Sequence, residues 1–225
     1  MESTEYIITV KNVFRTYDLG EVKVPALRGV SLQIKAGDFL IITGRNGSGK
    51  TTLLRQMGLL DKPDSGTITL LNQNVNTMKE IKRSKIRLTR LGYIFQEYAL
   101  IAELTAIENV MLPAMMLSTT RDCRERAHKL LLKVGLGKRT GHLPRQMSGG
   151  EQQKVAIARA LINDPEVIFA DEPTANLDSV AAREILSIFN YLNKHDKHTV
   201  VMITHEQDET SYANRIIKLA DGKII

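Results

Sequence analysis

The apolar positions of this chain follow two rhythms, and the switches between them mark out its elements. Phe39-Leu40-Ile41-Ile42, Val167-Ile168-Phe169-Ala170 and Thr199-Val200-Val201-Met202-Ile203 are short, nearly unbroken apolar runs. Runs of that length predict central parallel strands buried on both faces. Residues 7–13 and 30–34 alternate apolar with polar and predict strands of a more exposed kind. Thr67 to Leu71 and Gly92 to Phe95 add two short strands, and Arg215 to Leu219 and Lys223 to Ile225 predict closing edge strands. Elsewhere the period is helical: Leu53 to Met57, 79–90, Thr105 to Leu117, Arg121 to Gly135 and Glu151 to Ile162. Within the fourth of these, Ala127, Leu130, Leu131 and Val134 recur at helix spacing. Residues 104–146 contain no strand candidate and interrupt an otherwise regular alternation, which predicts a helical insertion. The whole pattern predicts an α/β fold with a mostly parallel sheet. It forms one domain over 1–225, with a core of 1–103 and 147–225 and a helical subdomain at 104–146.

Gly44-Arg45-Asn46-Gly47-Ser48-Gly49-Lys50-Thr51-Thr52 lies between the first apolar run and the first helix. Strand, glycine loop and helix in that order are the setting of a phosphate-binding loop. The glycines let backbone N–H groups converge on an anion with no Cβ in the way, and the helix dipole points its positive end there. Lys50 supplies a cation for the outer phosphates, and the Thr51 hydroxyl supplies a ligand for Mg²⁺. The chain is therefore expected to bind a nucleoside triphosphate.

Composition narrows the class. With 43% hydrophobic and 25% charged residues in 225, the chain has the balance of a soluble globular protein that can bury a large core. No apolar run approaches the roughly 20 residues of a membrane span. Residues 1–6 lack the basic and apolar regions of a signal peptide. The single cysteine, Cys123, excludes an internal disulfide and suits a reducing compartment. It sits among Arg121, Asp122, Arg124 and Glu125, reads as the polar part of a helix, and is taken as structural. A net charge of +6 suits nucleic acid, anionic lipid or an acidic ligand alike and does not choose among them. Residues 79–90 hold six Lys or Arg around Ile81, Ile86 and Leu88. That basic amphipathic helix reads as a solvated face in preference to a membrane or nucleic-acid contact, since it lacks interleaved aromatics.

Two further stretches bear on chemistry. The run Val167–Ala170 ends in Asp171 and Glu172, and the carboxyl ends of parallel strands are where ligands bind. Asp171 can reach a Mg²⁺ shell and Glu172 can polarise a water that attacks the γ-phosphate. Met147-Ser148-Gly149-Gly150-Glu151 then opens a helix, with Ser148 as candidate N-cap and the glycine amides free to meet an anion. On its residues alone this stretch is equally a capped core helix or a second anion site.

With these stretches in order, the chain resembles the nucleotide-binding domain of ABC transporters along essentially all of its length. Ser148, Gly149, Gly150 and Glu151 resemble the signature motif, with Met147 and Glu151 where that motif has leucine and glutamine. The resemblance implies a P-loop fold with an N-terminal antiparallel β subdomain, and it implies roles. Tyr17 would stack on adenine, and Gly44 to Thr52 would cradle the phosphates. Lys50, Gln96, Glu172 and His205 would be catalytic, with Gln96 also touching Mg²⁺ beside Thr51 and Asp171. Ala175-Asn176-Leu177-Asp178 would form the D-loop, with Asp178 at the nucleotide. Two copies would pair head to tail around two ATP molecules, so that Ser148 to Gln152 of one meets the γ-phosphate held by the other.

The stretches Tyr17-Asp18-Leu19-Gly20-Glu21, Leu104-Thr105-Ala106-Ile107-Glu108-Asn109-Val110, Leu112-Pro113 and Ala170 to Asp178 are most similar to the lipoprotein-release and macrolide-export group. Arg45-Asn46 stands where that group has Pro-Ser, and Glu97 to Ala102 departs from its Gln-Phe-Asn-Leu-x-Pro pattern. The group implies an ATPase subunit at the cytoplasmic face of the cell membrane, bound to a separate integral permease, with no direct nucleic-acid partner. A mechanochemical ATPase gating a cell-division or envelope complex is the alternative reading. A third, a soluble ABC protein acting on nucleic acid or ribosomes, usually has tandem domains or a coiled-coil insertion, and neither is found in these 225 residues.

Overall fold

The structure, a computed structural model, describes residues 6–18, 20–117 and 120–225. Leu19 and residues 1–5, on which part of the signal-peptide reading rests, lie outside them. Among the described residues no helix is long and apolar enough to cross a membrane.

Two sheets form the frame. The first runs β2 (Lys23–Lys35), β1 (Tyr6–Asp18), β4 (Ser65–Leu70), β5 (Gln73–Asn74) and is antiparallel throughout. The second has the order β10 (Lys223–Ile224), β9 (Arg215–Ala220), β3 (Phe39–Thr43), β8 (Thr199–Ile203), β7 (Val167–Asp171), β6 (Leu91–Ile94). It is parallel except where β10 folds back on β9. The three apolar runs are the neighbouring strands β3, β8 and β7, and successive side chains go to opposite faces. Phe39, Ile41, Ile168, Ala170, Val200 and Met202 enter one core cluster, while Leu40, Ile42, Val167, Phe169, Val201 and Ile203 enter the other. That division is why these strands show no polar alternation. The first cluster lies under α3 (Ala106–Met115), α4 (Thr120–Lys133), α5 (Gly149–Leu161) and α6 (Ser179–Lys194), and the second under α1 (Lys50–Met57) and the antiparallel sheet.

Several expectations are corrected. β1 and β2 extend well past 7–13 and 30–34, because each offers the other a backbone partner even where side-chain alternation fades. β9 is interior, between β10 and β3, so of the two predicted closing strands β10 alone lies at an edge, and β6 forms the opposite edge. α6 spans residues to which the sequence reading assigns no element, although its buried Ile185, Leu186, Phe189 and Leu192 carry helical spacing. Cys123 is fully buried, and with Ala127 and Leu131 it forms the inner face of α4. Its polar neighbours lie on the other side of that helix.

The basic helix 79–90 is α2 (Glu80–Arg90), and it is more than a solvated face. Arg83 is 2% exposed, and its guanidinium donates to the carbonyls of Val75 at 3.3 Å, Leu59 at 3.0 Å and Asp61 at 2.8 Å. Its Nε lies 3.3 Å from Glu80 Oε2, an ion-pair distance. Arg87 adds a bond to the Leu59 carbonyl at 2.9 Å. These bonds pin the loop that follows α1, where Leu59 has the left-handed φ of +66°. Arg83→Met should therefore take the donor from the Val75 and Asp61 carbonyls, leave that of Leu59 to Arg87, and cost about 2–4 kcal/mol of stability. In thermal unfolding that corresponds to a fall of roughly 5–12 °C in a chain of this size. Lys82→Met, on the exposed face, should change Tm by no more than about 2 °C, and equal effects from the two would refute the anchoring role.

Candidate nucleotide-binding site

β3 ends at Thr43, and the chain turns through Gly44 to Gly49 into α1. The turn needs glycine. Gly49 has φ +101°, and a Cβ there would lie 2.3 Å from the Ala26 carbonyl oxygen; at Gly44 it would lie 2.2 Å from that of Leu219. The loop is thus pressed against β2 and β9 with room only for backbone. Lys50 is 5% exposed, and its Nζ donates to the carbonyls of Gly44 at 2.9 Å and Arg45 at 3.1 Å, so the ammonium lies back across the loop. Ser48 is buried, and its Oγ has no hydrogen-bond partner among the described residues.

Beside the loop is a cavity of about 340 Å³. It is lined by Tyr17, Asn46, Gly47, Gly49, Lys50, Thr51, Thr52 and Glu172, with Val24 and Ala26 of β2 as an apolar wall. Glycine amides and a buried ammonium suit a polyphosphate, and an aromatic face with an aliphatic wall suits a base. The residues fit a nucleoside triphosphate.

Thr51 Oγ1 donates to Asp171 Oδ1 at 3.2 Å, which puts two hard oxygens side by side at the end of β7. Burial pushes the Asp171 carboxyl above its ordinary pKa; the Thr51 bond and Lys50 oppose this, and the charge of Glu172 adds to it. A cation held there would favour the ionised form. Among the described residues no group of three or more His, Cys, Asp or Glu converges as a metal site. A Mg²⁺ at Thr51 and Asp171 would take its remaining ligands from phosphate and water, the usual manner for that ion. The pair fits that requirement.

Glu172 has φ +46°, a left-handed conformation uncommon outside glycine. Its N–H bonds the Ile203 carbonyl at 3.1 Å and its own carbonyl accepts from Ala175 at 3.2 Å, so the turn is held from both sides. His205, at the end of β8, has Nδ1 3.4 Å from Glu172 Oε2 and Nε2 3.1 Å from Glu206 Oε1. His205 also lines a neighbouring cleft with Gly44 and Arg45.

Three predicted groups stand apart from the cavity. Gln96 follows β6 with an exposed side chain, and its carbonyl accepts from Asn176 Nδ2 at 3.2 Å. Asp178 caps α6, accepting from Val180 and Ala181 at 2.8 and 2.9 Å, and those backbone bonds hold its carboxyl below the ordinary value. Ser148 caps α5 in a reciprocal box with Glu151, which also pairs with Arg139 at 3.0 Å. Ser148, Gly149, Gly150 and Glu151 do not line the cavity.

The structure adds residues that motif reading passes over. Gln153 of α5 is fully buried and donates to the Pro173 carbonyl at 2.7 Å, one residue beyond Glu172. Arg159, also on α5, donates to the carbonyls of Tyr98 at 2.8 Å and Ala99 at 2.6 Å, where both residues have left-handed φ. One helix therefore holds the loop after Glu172 and the loop after Gln96. At the cavity's other end, Tyr17 is met by Arg15 and Asp61. Gln153, Arg159 and Asp61 act on groups remote in sequence, so nothing in local spacing announces them, whereas Arg15 lies two residues from Tyr17 on the same strand.

A sheet of this order with a glycine loop between β3 and α1, and acids ending β7, defines a P-loop ATPase of the ABC cassette type. The ABC transporter family profile matches residues 27–175, and the chain belongs to that family. Within it, the chain is a nucleotide-binding domain of the macrolide-export and lipoprotein-release type. The macrolide export ATP-binding/permease protein MacB of Chlorobium phaeobacteroides is 48% identical over 97% of this chain and 33% of its own length. This chain thus spans about a third of that relative. An uncharacterized ABC transporter ATP-binding protein of Methanocaldococcus jannaschii is 48% identical over 97% of this chain and 98% of its own length. Among solved structures, a dimeric ATP-binding cassette in a post-hydrolysis state with ADP and Pi superposes with TM-score 0.90 at 41% identity, covering 96% of both chains.

Proposed function

We propose that this chain binds ATP with Mg²⁺, hydrolyses it to ADP and phosphate as a head-to-tail homodimer, and so powers export or release through an integral permease. The observation that carries the reading is the separation of two anion-suited backbone sites: the glycine loop lines the cavity, and the capped start of α5 lies outside it. A second copy, turned end for end, would bring its Ser148 to Glu151 to the phosphates held by Lys50 of the first. The related cassette was solved as a dimer with ADP and Pi, which supports this arrangement.

In this reading Lys50 neutralises the outer phosphates, Thr51 and Asp171 hold the metal, and Glu172 accepts a proton from the attacking water. Mg²⁺ would supply charge neutralisation on the phosphate oxygens. His205, within reach of Glu172, would contact the γ-phosphate, and Gln96 would touch Mg²⁺ and the attacking water. Asp178 carries the D-loop to the dimer seam. Residues 104–146 act as the helical subdomain. A cleft of about 440 Å³ lined by Leu88, Tyr93, Phe95, Ala99, Met116 and Arg159 suits a cytoplasmic helix of the permease, and it adjoins the loop after Gln96. That would hold the chain at the cytoplasmic face of the membrane, without direct nucleic-acid contact. The MacB relatives, named for macrolide export, support a macrolide-like cargo, and peptides or lipoproteins are the other cargoes that the resemblance to the wider group implies.

The test is a pull-down of tagged Glu172→Gln protein from gently solubilised native membranes with ATP. Recovery of a permease with few spans and a large extracytoplasmic domain supports the reading. Ribosomal or nucleic-acid partners with no membrane protein would overturn the transporter part of it.

A further inference from the structure

The Tyr17 ring is held by more than its place on β1. Arg15 lies over one face of the ring, with its guanidinium carbon 4.8 Å from the centroid. Arg15 does not line the cavity that Tyr17 lines, so the face turned to the cavity is the other one. The Tyr17 hydroxyl donates to Asp61 Oδ2 at 3.1 Å and lies 3.5 Å from Thr52 Oγ1. The second carboxylate oxygen of Asp61 is 3.5 Å from the Arg15 guanidinium, and Asp64 bonds that same guanidinium at 2.8 Å and the Thr16 amide at 2.6 Å. One loop, 61–64, thus grips the ring at its edge and its covered face. That loop is fixed in turn by Arg83, whose bond to the Asp61 carbonyl is 2.8 Å.

From this arrangement we infer that Arg15 and Asp61 form a clamp that sets the affinity for the nucleoside part of the ligand. It rests on the reading of Tyr17 as the base platform. A tyrosine in free rotation must lose χ freedom before a base can stack on it. Here Asp61 fixes the tilt through the hydroxyl, and Arg15 closes one face, leaving the other face for stacking in the cavity that Val24 and Ala26 also line. The positive charge behind the ring also holds it by cation–π attraction. Asp61 touches neither phosphate nor metal ligands, so it is a positioning residue, and its effect should depend on the presence of a base.

Inorganic tripolyphosphate has no base and provides the control. Dissociation constants for ATP and for tripolyphosphate would be measured by competition against a fluorescent ATP analogue on the full chain. The proteins are wild type, Tyr17→Ala, Tyr17→Phe, Asp61→Ala and the volume-matched Asp61→Asn, each with its Tm. Tyr17→Ala should weaken ATP by roughly 5- to 150-fold, the range of one base–aromatic stack. Asp61→Ala should weaken ATP by about 3- to 10-fold, raise KM by a similar factor and leave kcat at saturation unchanged, since it removes the positioning but not the ring. Neither should move tripolyphosphate by more than about 2-fold. If Asp61→Ala lowers Tm so far that folding is compromised, Tyr17→Phe decides, because it keeps the ring and removes the hydroxyl that Asp61 holds, while Asp61→Asn, whose amide oxygen still accepts from Tyr17, isolates the charge that faces Arg15. A large Tyr17→Ala effect with no effect at Asp61 overturns the clamp. Equal losses for ATP and tripolyphosphate at Asp61 also overturn it, by placing the effect in the phosphate loop. No effect of Tyr17→Ala on ATP would instead remove the base-platform reading itself.

Discussion

Glu172→Gln is expected to keep ATP affinity, lower turnover by about 10²–10⁴-fold, and accumulate a dimer in ATP. The substitution is nearly isosteric and leaves intact the backbone bonds to Ile203 and Ala175 that hold the left-handed turn. It removes the acceptor for the water proton and takes a negative charge off the wall of the cavity that receives the phosphates. Binding is therefore not weakened while the proton transfer is lost. Undischarged ATP then remains between the two copies as the anion that both backbone sites require. Light scattering should report a mass near twice 25.2 kDa with ATP and a single-chain mass with ADP. A single-chain mass with ATP demonstrably bound would refute the sandwich arrangement.

Lys50→Ala should fail one step earlier, at binding. Lys50 is 5% exposed and its ammonium is bonded to two carbonyls of its own loop, so it is placed and desolvated before any phosphate arrives. A charge-assisted bond of that kind contributes about 2–3 kcal/mol, which is roughly 30- to 150-fold in dissociation constant. The loss should be the same for ATP and for tripolyphosphate, the opposite of the base-dependent pattern expected at Asp61. Titration of the variant against a fluorescent ATP analogue measures it. Retention of wild-type affinity would show that the glycine amides alone hold the phosphates.

Much of this was legible because its physics is local. The order of strand, glycine loop and helix around Lys50 follows from residues adjacent in the chain, and the acids ending β7 follow from a run of four apolar residues. The N-cap at Ser148 is a three-residue pattern and formed with Glu151 as a reciprocal box. α6 was equally local, with Asp178 as its cap and a regular apolar stripe, and its omission is a failure of reading and not of signal. Arg83, Gln153 and Arg159 are different. Each donates to carbonyls between 8 and 61 residues away, and a carbonyl has no identity in a sequence. The same holds for Cys123, whose polar neighbours in the chain concealed an apolar setting in space.

The amino-acid sequence by itself determined the fold class, the family and the order of the residues proposed to handle phosphate, because short spacings of glycine, hydroxyl, lysine and carboxylate dictate local backbone and local chemistry. Only the tertiary structure decided which of those residues share a cavity. It brought Tyr17, Lys50 and Glu172 to one cavity and left Ser148 and its neighbours outside it. It also made Asp61, in a loop fixed by the buried cation Arg83, the partner of Tyr17. Distances across a sheet are set by strand order and by pairings between remote segments, and no local spacing in the chain encodes them.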